Sequence, residues 1–150
     1  MTRRNTARRS APVRKAPATA GAHLLSDSEL RRVAGRVFKL SDADETEVHL
    51  DVTSDALTRF ANNAIHQNVA EQSLTIAVRT VLDGRTARAT TNKTDEESLR
   101  RVIAASCALA RSQPKNPHLL PMPGPQKYSR VQRCFEATAD ATPADRARAV

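Results

Sequence analysis

The spacing of apolar and polar residues predicts a helix at the start of the ordered part of the chain. In "LLSDSELRRVAGRVFKL", Ser26 and Glu29 have the spacing of a capping box, which marks a helix N-terminus. Apolar residues then recur every three or four positions, as they do on the buried face of an amphipathic helix. The predicted buried stripe consists of Leu30, Val33, Ala34, Val37 and Phe38.

Apolar and polar residues then alternate, which predicts strands. In "TEVHLDV", Val48, Leu50 and Val52 share one face, and the following "TSD" is expected to end this strand. The segment "LTRFANNAIHQNV" predicts two strands joined at Asn62-Asn63, because asparagine tolerates the positive φ of a two-residue hairpin turn. In the second of these strands, alternation assigns one face to Ile65, Gln67 and Val69 and the other to His66 and Asn68.

A further hairpin and a second helix follow. Asp83-Gly84 is a strong hairpin signal between "SLTIAVRTV" and "RTARATTN". The helix is predicted to begin at Thr94, which has capping-box spacing to Glu97, and to end before Pro114. Its predicted buried stripe is Leu99, Val102, Ile103, Ser106 and Ala110.

These elements predict an α+β domain, an antiparallel or mixed meander sheet covered on one face by two helices. Residues 1–22 are predicted to be a disordered basic tail, and residues 23–113 the domain itself. Residues 114–130, with five prolines between positions 114 and 125, are predicted to be an extended linker or arm. In residues 131–150 a helix is capped at Thr142 and stops after about two turns, so this part is expected to be the start of a truncated segment.

Charge changes this picture little, because most of the net charge of +8 belongs to the tail. Residues 1–22 hold six of the 24 basic residues and no acidic residue, so 18 basic and 16 acidic residues remain elsewhere. That balance does not indicate a nucleic-acid-binding domain, although the tail is expected to attract polyanions weakly. Phe60 is the one aromatic residue in the predicted sheet, which disfavours an RNA-binding sheet.

The residue types of metal, nucleotide and nucleophilic sites are present without the required spacing. No two of the four histidines lie within one helical turn, and Cys107 and Cys134 form no CxxC pair. The four glycines stand alone, which disfavours a phosphate-binding loop. Without an apolar membrane-spanning run or a secretory signal, the sequence predicts a cytoplasmic protein that does not contact membranes, with an organelle transit peptide as the alternative.

The segment from about Thr46 to Tyr128 resembles the N-terminal domain of the TldD/PmbA family, metallopeptidases that are also called modulators of DNA gyrase. The resemblance lies in "TEVHL", "LTRFANNAIHQNV", "LTIAVRTVLDGRTARATTN", "DEESLRRVIAASCALA" and "PKNPHLLPMPGPQKY", in this order. It implies that proteolysis belongs to a C-terminal domain with zinc in a His-Glu-x-x-x-His helix, which this chain lacks. No cofactor and no catalytic residue are therefore expected in this chain, which should be inactive alone.

The resemblance further implies that the domain helps to form a peptide-binding cleft and pairs with a TldD/PmbA-type partner subunit or catalytic domain. If the hairpin at 57–72 lines that cleft, its polar side chains are expected to hold the backbone of an unfolded peptide. The candidate contact residues are Arg59, Asn62, Asn63, His66 and Gln67. The alternatives are ordinary turn chemistry for the hairpin, a stand-alone interaction module whose basic tail binds nucleic acid or an acidic partner, and a fragment that folds poorly alone.

Overall fold

The computed structural model describes residues 25–62, 64–129 and 131–149, so the predicted basic tail lies outside the described residues. The helices in this part of the chain are α1 (Asp27–Leu40), α2 (Glu96–Ser112), α3 (Glu136–Ala139) and α4 (Pro143–Arg148). The strands are β1 (Glu45–Ala61), β2 (Ala64–Leu82) and β3 (Arg85–Thr91), which form an antiparallel sheet in the order β1-β2-β3. The predicted α+β class is confirmed, and the sheet is a meander without parallel strands.

The alternation of the strands gives the sheet two different faces. Val48 lies opposite Val78, and Val78 lies opposite Ala89, so these residues share the face that packs against α1 and α2. On this helix-side face Ile76 and Val78 are fully buried. The other face, called the outer face below, carries the alternate positions, among them the ion pair of Glu47 with Arg79.

Both helices place one apolar stripe against the sheet. The core consists of Val33 and Val37 from α1, Ile76 and Val78 from β2, and Leu99, Val102 and Ile103 from α2. The stripe predicted for the second helix is confirmed in full. In the first helix the prediction for Phe38 was wrong, since 53% of this side chain is exposed. Phe38 lies about 100° round the helix from Val37, which is beyond the side that the narrow sheet covers.

The N-termini of α1 and α2 are capped by side chains. Ser26 and Glu29 form the predicted capping box on α1. The predicted start of α2 at Thr94 was wrong by one residue, because the cap is Asp95, which accepts a hydrogen bond from the Ser98 backbone N–H at 2.8 Å. Thr94 and Asp95 are both capping residue types, and the carboxylate is the better acceptor.

Asp95 makes the stability of the fold depend on acid pH. The hydrogen bond from the Ser98 backbone holds the pKa of Asp95 below its ordinary value of 3.8. The stabilisation is therefore fully present above pH 3.8 and is lost as pH falls through the lower pKa of the folded state. Asp95→Asn keeps an accepting oxygen but cannot titrate. Near neutral pH the wild type should therefore melt at a higher temperature than this variant, by a few degrees at most. This difference in melting temperature should become smaller in acid. Melting curves of both proteins over an acid pH series test this, with Asp42→Asn as a control outside the cap; parallel curves for wild type and Asp95→Asn would contradict it.

The proline-rich segment folds back along the domain as an arm. Asn116 donates its backbone N–H to the Gly84 carbonyl at 2.9 Å, and the Met122 backbone N–H donates to the Glu45 carboxylate at 2.7 Å. Glu45 lies opposite Val81 on the outer face, where Val81 is only 7% exposed. The proline-rich arm therefore crosses this end of the outer face.

The chain after the proline-rich arm contains two short helices. The capping box of Thr142 with Asp145 confirms the predicted helix start at α4, with Pro143 in its first turn. The four-residue helix α3 was not predicted. In the part of the chain that the structure describes, no helix has the length and apolar character needed to cross a membrane.

Candidate functional site

The sheet extends beyond the core as a two-stranded hairpin. Strand β3 ends at Thr91, opposite Ile76, whereas β1 and β2 continue to pair as far as Ala61 and Ala64. We call residues 53–61 and 64–73 the hairpin arm. Almost all of its described side chains are exposed, so it projects from the domain as a surface element.

The turn conformation and cross-strand side-chain contacts stabilise the hairpin arm, although it is exposed to solvent. Asn62 has φ of 51°, the left-handed conformation that the two-residue turn requires. Along the strands, Thr53 and Ser73 share a hydrogen bond at 2.7 Å, and Leu57 lies directly opposite Val69. Such cross-strand pairs are the units that stabilise a sheet. The expected strand end at "TSD" was therefore wrong, because polar residues there pair with polar residues of β2 and the backbone ladder continues.

The structure brings two of the predicted contact residues together. Arg59 lies opposite Gln67 on the outer face, and its Nη1 donates to the Gln67 Oε1 at 3.3 Å. Asn62 is exposed in the turn at the tip of the arm. Asn63 lies outside the described residues, so its predicted role is not placed.

His66 occupies an irregular position. The register shifts between Arg59 and Phe60, since Gln67 pairs with Arg59 but Ile65 pairs with Phe60. His66 is therefore the additional residue of a β-bulge, a feature that redirects side chains. The bulge moves Ile65 to the face opposite Gln67, so the prediction that Ile65 shares a face with Gln67 and Val69 was wrong.

The helix-side face of the arm holds contacts that the sequence did not reveal. Thr58 donates from its hydroxyl to the Asn68 Oδ1 at 2.9 Å. Arg146 of α4 donates from Nε to the Thr58 Oγ1 at 3.0 Å and from Nη2 to the Asn68 Oδ1 at 3.4 Å. Its Nη1 also donates to the Ala141 carbonyl at 2.5 Å. The C-terminal segment is thereby attached to this face and leaves the outer face accessible.

One edge of β2 is open for most of the length of the arm. Residues 64–71 form ladder pairs only with β1 among the described residues, so the side of β2 that faces β3 further along has no paired strand there. A groove of about 510 Å³ lies where β3 leaves the sheet. Its lining includes Val52, Leu74 and Lys93. An open strand edge pairs with an extended chain through backbone hydrogen bonds, whatever the sequence of that chain.

The histidines of the described chain lie far apart in the fold. His49 lies in β1, His66 in the bulge and His118 in the proline-rich arm, and no group of three or more His, Cys, Asp or Glu residues in residues 25–62, 64–129 and 131–149 is arranged to hold a metal ion. Cys107 packs against the core and is half-buried, as expected for a small core residue. The hairpin arm presents hydrogen-bonding side chains and a strand edge, both of which can bind a ligand.

This chain is similar to a protein-family model and to a solved structure. Residues 47–110 match the family model described as PmbA/TldA metallopeptidase domain 1. The fold is similar to the crystal structure of TldE from Thermococcus kodakarensis, with a TM-score of 0.62 and 16% sequence identity, over 77% of this chain and 26% of that chain. This chain thus spans about a quarter of the length of that protein, and at this identity the similarity shows the fold. No curated protein matches the chain.

Proposed function

We propose, from the match of residues 47–110 to the model of PmbA/TldA metallopeptidase domain 1, that this chain supplies a non-catalytic peptide-binding wall to a metallopeptidase assembly. The observation that carries the proposal is the hairpin arm, which projects from the core with an open strand edge over residues 64–71 of the described chain. Zinc and catalysis are assigned to a C-terminal domain of the family type, and the partner is a TldD/PmbA-type subunit or that domain. The assembly is proposed to act in the cytoplasm.

The chemistry of the arm suits an unfolded peptide better than a folded ligand. An extended peptide presents N–H and C=O groups along both edges, and the open edge of β2 offers the complementary groups. Arg59 and Gln67 form a polar pair on one face of the strands, and Asn62 adds an amide at the tip. These groups bond to a peptide backbone without selecting its side chains. Sequence-independent binding follows from this arrangement.

A backbone-modified peptide tests the proposal on the full chain. A fluorescein-labelled unfolded peptide of about eight residues, the length of the open edge, should bind with an anisotropy change, and mass spectrometry should recover it uncleaved. The same peptide with N-methyl groups on alternate residues lacks the N–H donors of one edge, so its affinity should fall about tenfold or more. Arg59→Ala/Gln67→Ala should weaken binding about two- to fivefold.

Arg100→Ala is the matched control for the charge change, since Arg100 lies on the exposed side of α2 and pairs with Glu96. Its affinity for the peptide should equal that of the wild type. Equal binding of the methylated and unmethylated peptides would overturn recognition through the strand edge. Cleavage of the peptide by the purified chain would overturn the non-catalytic role.

A further inference from the structure

The outer face of the hairpin arm has an apolar centre and an acidic end. Leu57 and Val69 form the centre, with 46% and 38% of their surfaces exposed. Asp55 and Glu71, two residues nearer the base, lie directly opposite each other on the same face. Two like charges directly opposite each other on neighbouring strands destabilise the sheet. A cation placed over the two carboxylates would relieve this repulsion.

The outer face of the hairpin arm also has a basic end. It lies on the tip side of the apolar centre, as far from that centre as the acidic end lies on the base side. Arg59 is two residues beyond Leu57 toward the tip. Because each residue advances a strand by about 3.4 Å, Asp55 and Arg59 both lie about 7 Å from Leu57, in opposite directions. The face thus runs from acidic through apolar to basic, and reversing its direction exchanges the two charged ends.

A two-fold rotation makes this face complementary to itself. Suppose that a second hairpin arm faces the first, and that the two-fold axis lies between them, perpendicular to the strands, at the level of Leu57 and Val69. The rotation then places the base of one arm over the tip of the other. The Arg59 guanidinium of each copy then lies over Asp55 of the other copy, with Glu71 on the neighbouring strand. Leu57 and Val69 meet their own counterparts, as the interdigitating side chains of two packed sheets do. Interfaces of this kind, in which one patch meets itself, are the commonest in symmetric oligomers.

We propose that two copies of this chain pair through the outer faces of their hairpin arms. The pairing rests on the proposed role of the domain in subunit assembly and names the surface for it. A second copy is the occupant because the face carries both charge signs in a self-complementary order, whereas a uniformly basic partner would be repelled by Arg59. The helices do not obstruct this face, since α4 is bonded to Thr58 and Asn68 on the opposite one.

The area of the arm sets the expected strength. An arm face about 27 Å long and about 10 Å wide covers roughly 270 Å² per copy. A standard stable interface buries about 800 Å² per partner, so arm pairing by itself should be weak, with dissociation at high micromolar to millimolar concentration. Such weak pairing would be strengthened in an assembly that holds the two domains together.

Sedimentation equilibrium of the full chain, over a concentration series that reaches the millimolar range, tests the pairing through a charge exchange. Asp55→Lys and Arg59→Glu each place like charges over one another, so either variant alone should self-associate about tenfold more weakly or worse. An equimolar mixture of the two variants restores opposite charges at both ends and should recover the association. Asp51→Lys is the control, because it makes the same charge change on the same strand and face but lies outside the facing region.

Circular dichroism and thermal melting of each variant separate lost pairing from lost folding. A wild-type chain that stays monomeric throughout would overturn the proposal, as would a mixture that fails to recover or an Asp51→Lys variant that is weakened as much as Asp55→Lys. Binding of the unfolded peptide to the same Asp55→Lys protein is measured in parallel. If Asp55→Lys binds the peptide and self-associates as strongly as the wild type, only the pairing proposal is refuted. If the wild type self-associates as expected but does not bind the peptide, only the peptide-binding proposal is refuted.

Discussion

Replacement of Leu99 by alanine should lower the free energy of unfolding by about 3 kcal/mol, roughly a hundredfold in the folding equilibrium. Leu99 is fully buried at the centre of the cluster between α2 and the sheet. Its loss removes transfer free energy and leaves a cavity in a core that the small number of aromatic residues already keeps modest. A domain of this size has only about 5–10 kcal/mol to lose, so the variant should keep about 2–7 kcal/mol and should unfold at a lower urea concentration than the wild type.

Leu109→Ala is the matched control because it makes the same substitution in the same helix. Leu109 is 47% exposed, so the change in helix propensity is the same but little burial is lost. Urea unfolding followed by circular dichroism should therefore show a decrease of about 0.5 kcal/mol or less for Leu109→Ala. Similar decreases for the two variants would mean that α2 does not pack on the sheet through Leu99.

The success of the sequence at α2 and its failure at α1 have one physical cause. A helical period identifies the stripe that a helix buries, as the burial of Leu99, Val102 and Ile103 shows. It does not give the width of the surface that covers the stripe. Phe38 lies within the apolar arc of α1 but beyond the three-stranded sheet, so it remains exposed.

The strand boundaries show a second limit of local patterns. Backbone hydrogen bonds do not depend on side-chain polarity, so Thr53 and Asp55 continue β1 opposite Ser73 and Glu71, although "TSD" looks like a break. The bulge at His66 likewise inserts one residue without a local sequence signal. A shift of one residue exchanges the faces, which is why the side of Ile65 was predicted wrongly.

The candidate site could be predicted only where its residues are close in the chain. Arg59 and Gln67 are eight residues apart across a recognisable turn, so their proximity follows from the hairpin. Arg146 lies 88 residues from Thr58, and nothing in its own segment indicates that contact. The attachment of the C-terminal helix to the arm is a product of tertiary packing, which a single sequence does not encode in a local pattern.

Two buried hydroxyl groups between α2 and the sheet form a polar contact inside the core. Thr80 and Ser106 are fully buried, and their oxygens lie 2.8 Å apart. Ser106 also donates to the Ala87 carbonyl at 3.0 Å. Since the serine hydroxyl has one proton, which this bond uses, Thr80 is the donor of the pair. Ser106 therefore supplies the acceptor that satisfies the buried Thr80 hydroxyl.

Ser106→Ala should lower the free energy of unfolding by about 1.5 kcal/mol, because it leaves the Thr80 hydroxyl buried without its acceptor. Thr80→Val should cost less, about 0.5 kcal/mol, since Ser106 keeps its bond to the strand carbonyl. In the double variant both partners are apolar, so its decrease should be smaller than that of Ser106→Ala alone, which a double-mutant cycle in urea measures. Ser73→Ala breaks the same hydroxyl pairing with Thr53 on the exposed arm and should change stability by no more than about 0.5 kcal/mol, because water replaces the lost partner. Equal costs for Ser106→Ala and Ser73→Ala would show that water reaches the core hydroxyls, and additive costs in the cycle would show that Thr80 and Ser106 are not coupled.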